Sequence, residues 1–339
     1  MKDHFGRQVD YLRISVTDRC NERCVYCMPA DFHDWLPREQ ILSYEEILKI
    51  AEVGMTHMGM SKFRLTGGEP LVRRGLVDFV SSLSALGERL SKSEDVQYGG
   101  IQSIGMTTNA LLLEAVAEDL KRAGVTSLNI SLDALDDDLY HRITRGRLKD
   151  ALAGIEAAID AGFEQIKLNM VMLKGMNEDQ VEPMLDFAKS KGLLLRMIEL
   201  MPVTDEGAGD VSNRLTMPEM MSRLNQMDEV CLLPDAKFGH GPASYWHMKG
   251  RDQKIGFISA MTDEHFCETC NKLRLTADGF VRPCLGNHGE VDVKEALRGE
   301  GVSDEAVLDV LKRAMSEKPE AHTFINQYVP LRIMTAIGG

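Results

Sequence analysis

Residues 12–27 read LRISVTDRCNERCVYC, in which a short β-rich run leads into three cysteines. The run from Leu12 to Val16 is the first of six such runs, and segments with helical patterns separate them. The other five runs are Lys62 to Leu65, Ile101 to Met106, Thr126 to Ser131, Gln165 to Met172 and Leu194 to Leu200. Strand and helix alternating in this way predicts a parallel sheet with crossover connections.

Six units are too few for a closed barrel of eight, so we expect an α/β fold with a partial, TIM-like βα barrel of six units. Ser43 followed by Glu46 is typical of the capping box that begins a helix. In such folds ligands bind at the carboxyl ends of the strands. The informative motifs fall at those ends: Thr66-Gly67-Gly68-Glu69-Pro70, Thr107-Thr108-Asn109, Ser131-Leu132-Asp133 and Glu199-Leu200-Met201-Pro202.

The chain turns polar and Gly-containing from Asp205 to about Leu215, which indicates a linker. Thr216 and Glu219 then form a second capping-box pattern. We therefore expect a barrel over residues 1–215 and a C-terminal domain over residues 216–339.

Composition limits the partners of the protein. The chain has 339 residues, with 39 basic and 52 acidic residues and a net charge of -13. This charge repels nucleic acids and anionic membranes, so any phosphate-bearing ligand needs a local cluster of Arg and Lys. The polar stretch from Met1 to Tyr11 has no signal-peptide pattern, and no run of about 18 apolar residues follows. These features predict a soluble, cytoplasmic protein with no nucleic-acid or membrane partner.

Six of the seven cysteines form two tight groups, which favours metal binding in a reducing compartment. The first triad is Cys20, Cys24 and Cys27, with the spacing CxxxCxxC. Three thiolates on one loop can each hold one iron of a cubane cluster and leave the fourth iron open, as a reactive site requires. A zinc knuckle is the alternative, but structural zinc usually has four ligands and only His33 lies nearby.

The second triad is Cys267, Cys270 and Cys284, with the spacing CxxCx13C. A structural zinc site or a purely structural cluster remains an alternative for this group. Lys272 and Arg274 directly follow the CxxC, which puts two cations beside the triad in an acidic protein. The seventh cysteine, Cys231, stands alone and is expected to be a small buried side chain.

The first triad, with the aromatic Tyr26 before its last cysteine, resembles the signature of the radical S-adenosylmethionine (SAM) superfamily. Residues 67–70, Gly-Gly-Glu-Pro, resemble the second signature of that superfamily, the turn at which the methionyl part of SAM rests. The resemblance implies a 4Fe-4S cluster and SAM as cofactors. It also implies cleavage of SAM to a 5′-deoxyadenosyl radical inside a partial barrel.

Over essentially the whole chain, from Phe5-Gly6-Arg7 to Gly338-Gly339, the sequence resembles the GTP 3′,8-cyclase family. These lyases catalyse the first step of molybdenum cofactor biosynthesis. The resemblance implies a second 4Fe-4S cluster, held by the second triad, with one open iron that the guanine base approaches. The implied reaction removes the C3′ hydrogen of GTP and joins C3′ to C8, giving (8S)-3′,8-cyclo-7,8-dihydroguanosine 5′-triphosphate.

The resemblance also implies roles for individual residues of this chain. The positions implied to contact GTP are Arg13, Arg64, Thr107, Lys167, Lys272, Leu273 and Arg274, the last of which is also the candidate catalytic residue. The positions implied to contact SAM are Tyr26, Gly68, Ser131 and Met201. A triphosphate needs Arg and Lys to neutralise and orient it. Lys272 departs from the Arg expected in the family and loses the planar, bidentate fork of that side chain.

The resemblance further implies a homodimer, an electron donor such as flavodoxin, and cyclic pyranopterin monophosphate synthase as the functional partner. It also implies that Gly338-Gly339 enters the active site. Two alternatives stay open. Another radical SAM enzyme with an auxiliary cluster is not expected to carry Lys272 and Arg274 after the CxxC. A non-catalytic zinc or iron-sulfur protein would explain neither the Gly-Gly-Glu-Pro turn nor two three-cysteine groups.

Overall fold

The computed structural model of the chain describes residues 1–93, 98–203, 213–325 and 328–338. Its strands are β1 (Tyr11–Ser15), β2 (Lys62–Thr66), β3 (Ser103–Thr108), β4 (Ser127–Ser131), β5 (Gln165–Met172), β6 (Leu194–Glu199), β7 (Val230–Leu232), β8 (Ser244–Met248), β9 (Gln253–Ile258), β10 (Lys272–Leu275), β11 (Phe280–Arg282) and β12 (Val291–Asp292). Its helices are α1 (Tyr44–Val53), α2 (Leu76–Ser91), α3 (Ala117–Ala123), α4 (Asp137–Thr144), α5 (Leu148–Asp160), α6 (Val181–Ser190), α7 (Met217–Met227), α8 (Lys294–Arg298), α9 (Asp304–Ser316) and α10 (Met334–Ile337). Among these residues no helix combines the length and the apolar character needed to cross a bilayer.

The described strands form one sheet in the order β12-β11-β10-β1-β2-β3-β4-β5-β6-β9-β8-β7. Strands β1 to β6 lie side by side in chain order and are parallel. They correspond to the six predicted runs, and the bounds of β5 are those predicted. The order of strands ends in two separate edges, so the barrel is open. The predicted partial barrel of six units is confirmed.

The C-terminal part of the chain extends this barrel at both edges, which the sequence did not indicate. β9 pairs in parallel with β6, and β10 pairs in parallel with β1. Antiparallel strands then complete each edge, β8 and β7 on one side and β11 and β12 on the other. The domain boundary at residues 215/216 stays a prediction, and the predicted linker from Asp205 to Leu215 lies mostly outside the described residues.

Side chains alternate between the two faces of the barrel sheet. In β1, Leu12 and Ile14 are fully buried in the core between the sheet and the helices. Tyr11 and Arg13 instead line the inside of the barrel. The outer face therefore supplies the hydrophobic core, and the inner face is free to carry polar groups.

Both predicted capping boxes are confirmed, and they fix where two helices begin. The Ser43 hydroxyl accepts a hydrogen bond from the Glu46 amide at 3.2 Å, before α1. The Thr216 hydroxyl accepts one from the Glu219 amide at 3.4 Å, before α7. Each bond satisfies an amide at the helix start that has no partner within the helix.

Candidate active site

The barrel encloses a cavity of about 340 Å³, a size typical of small-molecule sites. Both cysteine triads line this cavity. The predicted ligand-contacting residues that also line it are Arg13, Tyr26, Arg64, Gly68, Thr107, Ser131, Lys167, Met201, Lys272 and Arg274. Leu273 does not, because its side chain is fully buried in the core on the other face of β10. The cavity geometry thus gives no support to the predicted contact between Leu273 and GTP.

The two triads lie at opposite ends of the barrel strands. The first triad follows the carboxyl end of β1. Because β10 runs parallel to β1 with Lys272 opposite Tyr11, Cys267 and Cys270 lie at the amino end. β11 is antiparallel to β10 and returns Cys284 to that same end. The five residues of β1 span the distance between the ends, a length of about 16 Å.

The Gly-Gly-Glu-Pro turn packs directly against the chain that leads into the first triad. The amide of Gly68 donates to the Thr17 carbonyl at 2.9 Å, and that of Glu69 donates to the Arg19 carbonyl at 2.9 Å. A Cβ on Gly67 would lie 2.3 Å from the Thr17 oxygen, and a Cβ on Gly68 would lie 2.3 Å from the Arg19 oxygen. Only glycine permits this approach.

Glu69 links the turn to the end of β3. Its carboxylate accepts hydrogen bonds from the Thr108 hydroxyl at 2.7 Å and from the Asn109 amide at 2.8 Å. The side-chain amide of Asn109 in turn donates to Asn21, in the loop of the first triad, at 2.8 Å. Burial raises the pKa of Glu69 to about 7. Three of the motifs found in the sequence are therefore joined by one hydrogen-bond network.

Two further buried carboxyl groups hold the first-triad loop. The Tyr26 hydroxyl donates to Asp133 at 2.6 Å, and the Tyr140 hydroxyl donates to Glu22 at 2.8 Å. Burial raises the pKa of Asp133 to about 6 and that of Glu22 to about 8. Glu22 and Tyr140 carried no motif and were not predicted, although Glu22 lies between two cysteines of the signature.

The chemistry of the first triad fits a cubane cluster. Burial raises the pKa of all three thiols, that of Cys27 to about 12, so they ionise at neutral pH only with a metal to stabilise the thiolates. Within the described ranges no three His, Cys, Asp or Glu side chains converge on a point that could hold one metal ion. A cubane presents its irons at separate corners, so its ligands need not converge. Three cysteines with no fourth ligand in the motif fit a cluster that keeps one iron open.

The second triad differs because a cation lies beside it. The ammonium of Lys318 is 3.3 Å from the Cys270 sulfur. Burial alone would raise the pKa of Cys270, but Lys318 and Lys272 lower it to about 7. Burial raises the pKa of Cys267 and that of Cys284. Lys318 was not predicted, because it follows Cys284 by 34 residues and belongs to no recognisable motif.

Six cations line the middle of the cavity: Arg13, Arg64, Lys167, Arg196, Lys272 and Arg274. Their hydrogen-bond acceptors, in the part of the chain that the structure describes, are neutral hydroxyls, amides and carbonyls. The Nε of Arg13 is buried and has no hydrogen-bond partner among the described residues. Burial, with Arg196 and Arg64 nearby, lowers the pKa of Lys167 to about 7. This unneutralised charge fits a polyanionic ligand.

Arg196 was missed by the sequence analysis, although a signal was available. It interrupts the apolar run of β6, and a charged residue inside a buried strand is rare without a functional partner. Its guanidinium donates to the Asn169 side chain at 2.9 and 2.6 Å. Burial lowers the pKa of Arg196 to about 10.

The C-terminal tail reaches the cation cluster. Arg274 donates to the Gly338 carbonyl at 2.8 Å. A Cβ on Gly338 would lie 2.9 Å from the Cβ of Ser15, at the end of β1. Gly339, the other residue of the predicted tail, lies outside the described residues.

Comparisons with known proteins identify the family of the chain. Residues 14–188 match the model of the radical SAM superfamily, and residues 193–324 match the model described as Molybdenum Cofactor Synthesis C. The chain is 43% identical to a GTP 3′,8-cyclase from Thermodesulfovibrio yellowstonii, covering 100% of both chains. It is 41% identical to one from Hydrogenovibrio crunogenus, covering 99% of both.

The chain belongs to the GTP 3′,8-cyclase family. Members of this family are radical SAM enzymes, and the superfamily implies a 4Fe-4S cluster with SAM.

Solved structures with a similar fold include radical SAM enzymes. Streptococcus suis SuiB bound to precursor peptide SuiA matches with a TM-score of 0.62 and 14% identity, over 94% of this chain and 72% of that chain. The structure described as native anSMEcpe with bound AdoMet matches with a TM-score of 0.57 and 14% identity, over 93% and 82% of the two chains. At this identity the likeness concerns the fold alone.

Replacing Gly68 in this cyclase-family chain tests the packing of the turn against the first-triad loop. We expect Gly68→Ala to weaken SAM binding by about tenfold or more, because the backbone must shift to relieve the overlap with the Arg19 oxygen. Equilibrium binding of SAM to anaerobically reconstituted protein measures the effect. Gly301→Ala is the matched control, since a Cβ there meets no atom within 4 Å. Equal affinities of the two variants would contradict this account of the turn.

Proposed function

We propose that the protein converts GTP to (8S)-3′,8-cyclo-7,8-dihydroguanosine 5′-triphosphate. The observation that carries the proposal is a single cavity with a cysteine triad at each end and six cations with neutral acceptors between them. The first triad suits radical chemistry, and the cations suit a triphosphate. GTP satisfies both requirements, and relatives at 41–43% identity are named for this substrate.

Cys20, Cys24 and Cys27 would hold a 4Fe-4S cluster whose open iron takes the amino and carboxylate groups of SAM. With this cluster bound, SAM would take up one electron and be cleaved to methionine and a 5′-deoxyadenosyl radical. That radical would take the C3′ hydrogen of GTP, C3′ would then form a bond to C8, and one further electron from the external reductant and one proton would complete the dihydro product. Tyr26 and Gly68 would bind SAM in this arrangement. Two further candidates for SAM contacts are Ser131 and Met201.

The chain's own residues would bind and orient GTP. Arg13 on β1, Arg64 on β2 and Lys167 on β5 would neutralise the triphosphate, and the free Nε of Arg13 offers it a donor. Thr107, at the end of β3, would add a hydroxyl contact; its oxygen is buried and has no hydrogen-bond partner among the described residues. Arg196 extends the same cationic surface. Orientation of both reacting carbons within one molecule is the main contribution a protein makes to such a ring closure.

At the other end of the cavity, the second triad would hold a second 4Fe-4S cluster with an open iron for the guanine base. Arg274 would act there as the catalytic residue, fixed by its hydrogen bond to Gly338. Lys272 would contribute charge without the bidentate geometry of an arginine. Its ammonium donates to Asn271 at 2.9 Å and lies 5.3 Å from the centre of the Tyr11 ring.

The remaining implications of the family stay predictions. They are a homodimer, cyclic pyranopterin monophosphate synthase as the enzyme that uses the product, an electron donor such as flavodoxin, and entry of the glycine tail into the site.

Anaerobic incubation of reconstituted protein with GTP, SAM and dithionite tests the proposal. We expect 5′-deoxyadenosine together with a cyclised GTP product, both detected by mass spectrometry. Cys267→Ala should abolish the cyclised product, because it removes a ligand of the second triad. Cys231→Ala is the matched control, since this cysteine belongs to neither triad, and it should behave as the parent protein.

Two outcomes would contradict the proposal. Deoxyadenosine without cyclised GTP would keep the radical chemistry but assign the protein another substrate. Full activity of Cys267→Ala would remove the second triad from the reaction.

The lowered pKa of Lys167 implies that GTP binding is coupled to proton uptake. With a pKa of about 7 in the free protein, Lys167 is mostly neutral at pH 8, whereas a bound triphosphate restores its usual, higher pKa. Binding at pH 8 should therefore take up about one proton, and affinity should fall as pH rises above 7. Calorimetry in two buffers of different ionisation enthalpy measures the uptake.

Lys167→Arg provides the control for this linkage, because arginine stays charged and should bind GTP without proton uptake. Binding enthalpies of the parent protein that do not depend on the buffer would contradict the assignment of Lys167.

A further inference from the structure

Lys318 is a buried cation that the proposed reaction does not use. It lies two residues beyond the end of α9 and is 4% exposed. Its ammonium donates to the Cys270 sulfur at 3.3 Å, to the Lys272 carbonyl at 2.8 Å and to the Pro283 carbonyl at 2.8 Å. An ammonium has three donors, so each of them is engaged and the group is fixed in place.

The counter-charge of Lys318 comes from the second triad. No carboxylate within the described part of the chain lies within 4.0 Å of its ammonium. Two of its three acceptors are neutral carbonyls, and the third is the sulfur of Cys270. A buried ammonium is costly unless a negative group pairs with it. The Cys270 thiolate is the group in contact that can supply that charge.

The three contacts of Lys318 also join the two segments that carry the second triad. Lys272 follows Cys270 by two residues, and Pro283 directly precedes Cys284. One ammonium therefore fixes the CxxC turn relative to Cys284. A cluster needs its three ligands at set separations, so a rigid link of this kind favours its assembly.

Arg7 holds Lys318 and the CxxC turn together from the other side. Its guanidinium donates to the Cys267 carbonyl at 3.0 Å. It also donates to the carbonyls of Glu320 at 2.7 Å and Pro319 at 2.6 Å, the residues that directly follow Lys318. The backbone at Lys318 thus cannot move away from the triad independently.

We propose that Lys318 is a positioning residue of the second triad and that its charge raises the reduction potential of the cluster held there. Reduction adds negative charge to an iron-sulfur cluster, and a cation that donates to a ligand sulfur stabilises the reduced state. The inference rests on the proposed function in one respect, the presence of a cluster at the second triad. It adds a residue that acts through Cys270 rather than on GTP.

The test uses the full chain with Cys20, Cys24 and Cys27 replaced by alanine, so that only the second triad can hold a cluster. Potentiometric titration followed by electron paramagnetic resonance (EPR) gives the midpoint potential of that cluster. Lys318→Met and Lys318→Gln should shift the midpoint to more negative values. Lys318→Arg keeps the charge and should return it towards the parent value. Lys294→Met is the matched control, because Lys294 pairs with Asp292 rather than with a cysteine.

The outcomes separate the inference from the proposed function. A parent that binds no iron would contradict the second cluster and, with it, this inference. A parent that binds iron, with a midpoint unchanged in Lys318→Met and Lys318→Gln, would overturn the inference alone. Loss of the cluster in both variants, with circular dichroism unchanged and Lys318→Arg still loaded, would support the positioning role.

A second measurement leaves Lys318 in place. It tests the contact between Lys318 and Cys270 even if the Lys318 variants do not fold. The same cysteine background, with Lys272→Arg to remove the other nearby lysine, is labelled with lysine carrying ¹⁵N in the ammonium. Pulsed EPR on the reduced cluster should detect coupling to this nitrogen, because a hydrogen bond to sulfur transmits spin density. Absence of coupling would contradict a direct contact between Lys318 and Cys270.

Discussion

The parallel pairing of β10 with β1 is the interaction on which the rest of the site depends. It sets Arg274 opposite Arg13 and Lys272 opposite Tyr11. Because the strands run in the same direction, the cysteines before β10 and those after β1 lie at opposite ends of the barrel. The inward-facing side chains between them are the cations of the cavity. One strand pairing thus produces both the separation of the triads and the charged space that lies between them.

The electrostatics of the cavity oppose those of the whole molecule. The chain carries a net charge of -13, yet six cations line one cavity, and the acceptors of their hydrogen bonds among the described residues are neutral. Arginine and lysine side chains that are buried without counter-ions raise the free energy of the folded protein. A polyanionic ligand lowers this free energy when it binds, because it neutralises the cations. The cavity therefore destabilises the empty protein and favours binding of a phosphate-bearing ligand. The acidic surface, in turn, disfavours binding of nucleic acids.

Much of the fold could be predicted because its signals are local. Hydrophobic runs located β1 to β6, and two short patterns located the capping boxes and the Gly-Gly-Glu-Pro turn. Strands β9 and β10, which flank the six barrel strands, could not be predicted. Each is short, and its parallel partner lies far away in the sequence, about 60 residues for β9 and more than 250 residues for β10. Such pairings depend on tertiary packing, which leaves no periodic pattern in a segment of four to six residues.

Within the site, the sequence pointed to residues that belong to motifs. It did not point to residues that reach the cavity only through packing of distant parts of the chain. Lys318 contacts Cys270 only because the chain after α9 returns to the triad, so no spacing in the sequence reports it. Leu273 lies at a family position, and its side chain is buried in the core. Lys272 and Arg274 face the cavity, and strand alternation alone requires the residue between them to face the core. The contact with GTP that the family position implies for Leu273 stays a prediction.

In the proposed reaction, the ribose of GTP lies where a radical formed at the first triad can reach it. The cations would hold the triphosphate, and the second triad would hold the base. Incubation with SAM, reductant and GTP deuterated at C3′ tests this arrangement. We expect the 5′-deoxyadenosine released to carry deuterium from C3′. Deoxyadenosine that forms readily from the deuterated substrate but contains no deuterium would contradict it.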